Sequence, residues 1–135
     1  MGRSAVVEKV RALDLADDSY IVIGSGVMDA LGLRASEDID VVVSEPVFEE
    51  LRAAGWETSA QYGDQCLVRG DFEAWKTWSY QGEQTSLAEL QKDRVIIDGI
   101  PFVSPQYLLK WKQDKDRPKD IRDIELLQEY LRERI

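Results

Sequence analysis

The fold of this chain is decided by residues 20–43, which read YIVIGSGVMDALGLRASEDIDVVV. Two apolar runs, Tyr20–Ile23 and Val41–Val43, lie at its ends and are typical of buried strands. The turn Gly24-Ser25-Gly26 ends the first run, a short helical stretch follows, and Asp38-Ile39-Asp40 opens the second run. The stretch therefore predicts a strand, a sharp turn, a short helix and a second strand.

The two aspartates, Asp38 and Asp40, are two residues apart and would share one face of the second strand. Two like charges placed there are unfavourable unless a cation neutralises them. The Gly-Ser turn next to a helix start offers backbone N–H groups, which favour phosphate. A divalent metal beside a phosphate-binding turn is what phosphoryl or nucleotidyl transfer needs. The alternative is structural, with Asp38 capping a turn and Asp40 solvated.

Length and composition predict one compact domain over residues 1–135. A hydrophobic content of 44% and a charged content of 32% are typical of soluble globular proteins. No apolar run approaches the roughly 20 residues of a membrane span, and charges interrupt the N-terminus where a signal peptide would be apolar. Because Cys66 is the only cysteine, no internal disulfide can form, and we expect a cytoplasmic location without membrane partners.

The absence of histidine excludes every catalytic triad, zinc site and acid–base scheme that depends on it. Catalysis must then use carboxylates, Lys, Arg, Ser, Tyr or a metal. The net charge of −9 opposes non-specific binding to nucleic acid. It leaves open the binding of a nucleotide through Mg²⁺ and a local basic patch.

The whole pattern predicts an α+β fold, with a mixed β-sheet, flanking helices and a C-terminal helical pair. Because a helix separates the strands at 20–23 and 39–43, we expect these strands to be parallel or in a mixed arrangement. Further predicted elements are a helix over 4–13, a helix over 27–33, a helix over 47–54, strands over 65–69 and 72–78, a hairpin at Asp98-Gly99, and helices over 105–113 and 118–131. The last helix is predicted to be amphipathic through Ile121, Ile124, Leu127, Gln128 and Leu131.

Gly24-Ser25, twelve intervening residues and Asp38-Ile39-Asp40 between apolar runs resemble the signature of the DNA polymerase β-type nucleotidyltransferase superfamily. The C-terminal segment from Lys112 to Ile124 is similar to the basic, Lys-Asp-containing helix of small bacterial members. Those members include aminoglycoside and lincosamide nucleotidyltransferases and nucleotidyltransferase-like toxins of abortive-infection systems. The resemblance covers most of the chain, although each motif is short.

The resemblance implies that Asp38 and Asp40 bind two Mg²⁺ ions and that Gly24 and Ser25 hold the nucleotide phosphates. Superfamily members also use a third carboxylate on a neighbouring strand, which completes the metal site and accepts a proton. We choose Glu73, because Phe72 and Ala74 would face one way and Glu73 the other.

Two rivals for the third carboxylate remain open. Asp71 is explained by a Gly70-Asp71 turn, and Asp98 by the Asp98-Gly99 hairpin. Among the late basic residues, Lys112, Arg117 and Lys119 are candidates to bind the triphosphate or the substrate. Their alternative is a solvated helix start, offset by neighbouring aspartates.

The favoured interpretation is a Mg²⁺-dependent nucleotidyltransferase that moves a nucleoside monophosphate from a nucleoside triphosphate to a hydroxyl acceptor. The acceptor, a small molecule or a macromolecule, is not indicated, and a second subunit or a partner protein could complete its site. The alternative is a non-catalytic nucleotide-binding, antitoxin or regulatory module on the same fold. Trp75 is the tryptophan best placed to border a ligand pocket, and Cys66 is expected in the core.

Overall fold

The computed structural model describes residues 4–134, which form helices on a mixed β-sheet. The helices are α1 Ala5–Leu13, α2 Gly26–Ala30, α3 Glu45–Ala53, α4 Leu87–Gln91, α5 Pro105–Lys115 and α6 Ile121–Arg132. The strands are β1 Tyr20–Ile23, β2 Ile39–Val43, β3 Glu57–Ser59, β4 Gly63–Arg69, β5 Phe72–Trp75, β6 Thr77–Tyr80, β7 Glu83–Ser86, β8 Val95–Ile97 and β9 Ile100–Phe102. Single 3₁₀ turns cover Asp17–Ser19 and Pro118–Asp120.

Seven strands form the main sheet in the order β3-β4-β5-β2-β1-β9-β8, and β6 and β7 form a separate two-stranded sheet. The main sheet is mixed, because β1 is antiparallel to β2 but parallel to β9, and β2 is parallel to β5. All four residues of β1 are buried, which places the core around the centre of the sheet. Helices α5 and α6 pack against each other as a C-terminal pair. The predicted α+β fold class is confirmed.

Strands β1 and β2 were expected to be parallel or in a mixed arrangement, and parallel pairing is wrong, since Ile23 lies opposite Asp40 in an antiparallel register. Helix α2 has only five residues, and the chain folds back along it. The N–H of Leu33 donates to the carbonyl of Met28, and the N–H of Ser36 donates to the Asp29 carboxylate at 2.9 Å. The connection therefore returns to the end of β1 that it left, which an antiparallel neighbour requires.

The single strand predicted over 72–78 is interrupted at Lys76. Strand β5 pairs with β2 and β4 up to Trp75, and β6 then pairs with β7 instead. The turn between β6 and β7 places Gln81 at φ 53° and Gly82 at φ 79°, the pair of positive values that a tight hairpin turn uses. The segment 72–78 contains no glycine or proline, so the sequence did not mark the break.

The apolar face predicted for the last helix is only partly correct. Helix α6 begins at Ile121, which is 60% exposed, and Gln128 is exposed too. The buried positions of α6 are Asp123 and Leu127. A charged residue takes an inward position here because it is paired, as described below. No helix within residues 4–134 has the length and apolar character of a membrane span.

Candidate active site

The turn after β1 brings the backbone of Gly24 against the side chain of Asp40. Gly24 has φ +65°, and a Cβ added there would lie 3.2 Å from Asp40 Oδ2. A side chain is therefore disfavoured both by the backbone conformation and by this close approach. The carbonyls of Gly24 and Ser25 accept hydrogen bonds from Val27 and Met28, so the turn leads directly into α2.

The carboxyl groups of Asp40 and Glu73 lie side by side on neighbouring parallel strands, because Asp40 of β2 is opposite Glu73 of β5. Burial, a hydrogen bond with Glu73 and the charges of Glu73 and Asp38 raise the pKa of Asp40 to about 7. The Trp75 indole N–H donates to Asp40 Oδ1 at 3.2 Å and opposes this rise. Two carboxyls in such a position retain a proton unless a cation replaces it.

The donor chemistry of this site fits Mg²⁺, which prefers carboxylate oxygens. Asp40 and Glu73 form a ready pair, and Asp38 precedes β2 as an exposed residue. Within residues 4–134, however, no three acidic, Cys or His side chains are grouped closely enough to hold a metal. Asp38 thus does not complete a three-ligand group with the other two in this structure.

Neither rival carboxylate lies at the site. Asp71 is exposed and pairs with Lys9 at 2.8 Å. Asp98 occupies the turn between β8 and β9 at φ 51°, and its carbonyl accepts a hydrogen bond from Arg11. Of the three candidates, the fold brings Glu73 beside Asp40, and its catalytic role stays a prediction.

A cleft of about 1180 Å³ joins the carboxyl pair to the C-terminal helices. On the sheet side it is lined by Gly24, Ser25, Asp38, Asp40, Glu73 and Trp75, and on the helical side by Trp111, Lys112, Arg117, Lys119, Asp120 and Asp123. All eight residues predicted for the site thus border one cavity. Cleft-bordering position does not by itself assign a role to any of them.

The late basic residues differ in how their charges are compensated. Lys112 is 2% exposed, and its Nζ lies 2.9 Å from Asp120 Oδ1 and 3.1 Å from Asp123 Oδ2. Arg117 Nε lies 2.6 Å from Asp120 Oδ2, and the guanidinium stands over the Trp111 ring. Lys119 is exposed and makes no ion pair within residues 4–134. Lys119 is therefore the predicted cation whose charge is most available to a ligand.

Both buried aspartates are held in their ionised form. Burial alone would raise the pKa of Asp120, but hydrogen bonds from Arg117 and Lys112 outweigh it and lower that pKa. In the same way, burial opposes ionisation of Asp123, while hydrogen bonds from Arg34 and Lys112 lower its pKa. This part of the cleft wall is thus a fixed array of charges.

Arg34 both pairs with an acidic residue and lines the cleft. Its Nε and Nη2 donate to the two oxygens of Asp123 at 2.6 and 2.7 Å. Its Nη2 also donates to Ser25 Oγ at 3.0 Å. No sequence pattern indicates a pairing between residues 89 positions apart.

A row of aromatic rings forms another wall of the cleft. Tyr62 meets Trp75 edge-on with ring centroids 4.9 Å apart, Trp75 meets Trp78 at 5.5 Å, and Trp78 stacks on Trp111 at 5.3 Å. The cleft position expected for Trp75 is confirmed, whereas Tyr62 was not singled out by its sequence context. Cys66 is buried as predicted, and burial raises the pKa of its thiol to about 12.

The sequence matches no family model and no curated protein. The fold is similar to a crystal structure from Thermotoga maritima that is described as a “putative nucleotidyltransferase”. The TM-score is 0.55 at 18% sequence identity, and the match covers 98% of this chain and 96% of the other. At this identity the comparison shows a shared nucleotidyltransferase-like fold.

Proposed function

We propose that this protein is a Mg²⁺-dependent nucleotidyltransferase that transfers a nucleoside monophosphate from a nucleoside triphosphate to a hydroxyl acceptor. The observation that carries the proposal is the pairing of Asp40 with Glu73 on adjacent strands, with the Gly24 turn in contact with Asp40. The fold it shares with the Thermotoga maritima protein supports the same reaction class.

The residues of the cleft have separate roles in the proposed reaction. Asp40 and Glu73 would hold Mg²⁺, with Asp38 just before β2 as a further ligand once the metal binds, and the metal would neutralise phosphate charge during the transfer. Glu73 accepts the proton of the acceptor hydroxyl as that oxygen attacks the α-phosphorus. Lys119, at the opposite side of the cleft, neutralises charge on the departing pyrophosphate. Catalysis then consists mainly of positioning and charge compensation.

The proposal is tested by incubating the protein with each labelled nucleoside triphosphate and Mg²⁺, alone and with cell lysate. We expect a labelled product from the natural protein and a loss of at least a hundredfold in rate for Asp40→Asn and for Glu73→Gln. Asp71→Asn is the matched control, because it removes a nearby carboxylate that pairs with Lys9 outside the cleft. Equal activity in Glu73→Gln and Asp71→Asn would refute the assigned role of Glu73.

A second candidate is a module that binds nucleotide without transferring it and serves as a regulatory or antitoxin component. It is favoured by one observation, namely that no three-ligand metal group is formed within residues 4–134. Nucleotide binding without any labelled product, under all the conditions above, would select this function. A second subunit or a partner protein would then be sought by co-purification with the binding-competent protein.

A further inference from the structure

A chain of side-chain hydrogen bonds connects the C-terminal helices to the Gly-Ser turn. We propose that Arg34 is a positioning residue that directs the Ser25 hydroxyl proton into the cleft, toward a phosphate oxygen of the substrate. Asp123 and Lys112 hold Arg34 in place. The inference rests on the proposed function, since it assigns a second layer of residues to the same phosphate-binding turn.

Arg34 has little freedom to move. Its two bonds to Asp123 form a bidentate fork, which fixes the plane of the guanidinium as well as its distance. The Asp123 side chain is only 6% exposed and is held from the other side by Lys112. The Arg34 Nη1 also donates to the carbonyl of Ala35 at 3.0 Å. Arg34 is thus fixed by an array that is itself buried.

The Ser25 hydroxyl can still donate its own proton. A guanidinium has five N–H donors and no acceptor, so the 3.0 Å contact requires Ser25 Oγ to accept from Arg34 Nη2. A hydroxyl that accepts in this way still has its own single proton to donate. Within residues 4–134 no side chain or carbonyl takes that proton, so an acceptor in the cleft can.

The behaviour of the other serines that precede helices supports this assignment. Ser4, Ser44, Ser86 and Ser104 each accept a backbone N–H of the helix that follows. Ser25 makes no such bond to its helix. Its hydroxyl is used by Arg34 instead, across nine residues of sequence.

The charge on this side of the cleft favours an anionic acceptor for the proton. The array contains the cations Arg34, Lys112 and Arg117 and the anions Asp120 and Asp123, which leaves one net positive charge. The carboxyl pair lies on the sheet side of the cleft, next to the Gly-Ser turn. An elongated ligand with phosphate at one end and a metal-bound group at the other matches this arrangement.

A double-mutant cycle tests the proposal with inorganic tripolyphosphate and with ATP, each in Mg²⁺, as the probes for calorimetric binding. The variants are Ser25→Ala, Arg34→Lys and the two combined. Lysine keeps the positive charge beside Asp123, but it cannot make both hydrogen bonds to Asp123 and the hydrogen bond to Ser25 at the same time. We expect each single variant to bind both probes about tenfold more weakly, and the double variant to bind no more than twofold more weakly than Ser25→Ala.

Arg94→Lys is the matched control, because Arg94 pairs with Asp18 and does not border the cleft. It should bind both probes like the natural protein. The positioning role would be overturned, and the proposed function left standing, if Arg34→Lys binds the probes like the natural protein. The same holds if the losses of the two single variants multiply to about a hundredfold in the double variant. Failure of the natural protein to bind either probe would overturn the proposed function together with it.

Discussion

Replacement of Lys112 by methionine separates a structural from a ligand-binding role for this residue. Lys112 is 2% exposed and its two partners, Asp120 and Asp123, are 3% and 6% exposed. Breaking a buried ion pair by removing one partner costs about 3–5 kcal/mol. Asp120 keeps Arg117 and Asp123 keeps Arg34, so we expect a smaller loss in the free energy of unfolding, about 2–3 kcal/mol.

The assay is equilibrium unfolding in urea, followed by circular dichroism. With a slope of about 1–3 kcal/mol per molar for a domain of this size, the midpoint should fall by about 0.7–3 M. Lys119→Met is the control, because Lys119 is exposed and makes no ion pair within residues 4–134. Its free energy of unfolding should stay within about 0.5 kcal/mol of the natural value.

Nucleotide binding by the same two variants completes the test. If Lys112 is structural, Lys119→Met should be the variant with the larger loss of nucleotide binding below the urea transition. An unchanged unfolding midpoint in Lys112→Met, accompanied by lost nucleotide binding, would refute the reasoning. Lys112 would then act on the ligand directly, as its sequence context suggested.

Three further results are expected. Folding lowers the pKa values of Asp120 and Asp123, so the stability that these carboxylates contribute is present above about pH 4. That stability is lost as the pH falls through their pKa values in the folded protein. Measuring the unfolding midpoint at decreasing pH should show this loss, and a midpoint that does not change with pH would contradict it. Gly24→Ala should lose about 1–3 kcal/mol of stability in thermal unfolding, because Gly24 has φ +65° and approaches Asp40 closely. Trp75→Phe removes the hydrogen bond that lowers the pKa of Asp40. Carbon-13 NMR of the Asp40 carboxyl should then show titration above about pH 7. An Asp40 pKa equal to that of the natural protein would refute the effect of this hydrogen bond.

The sequence predicted what depends on short-range pattern. Apolar runs and a Gly-Ser turn identified β1 and β2. Strand alternation predicted that Glu73 faces away from Phe72 and Ala74, and in the structure Glu73 lies beside Asp40. These features follow from local backbone geometry and from burial of one strand face.

What the sequence did not predict depends on contacts between distant segments. The antiparallel pairing of β1 and β2 follows from how the loop after α2 folds back, which no periodicity encodes. Burial of Asp123 in α6 depends on Arg34 and Lys112, and each of these lies in another element or loop. A charged residue is expected to face solvent or a ligand unless a buried partner is known, so Lys112 was predicted as a candidate to bind the triphosphate or the substrate.

The bond between Arg34 and Asp123 also sets an order of events during synthesis. Asp123 follows Asp40 by 83 residues, which corresponds to roughly 4–17 s of translation. Throughout that interval a nascent chain has the carboxylate of β2 but lacks the helix that secures Arg34 and, through it, Ser25. The Arg34–Ser25 contact can therefore gain its support from Asp123 only after α6 has been synthesised and has docked.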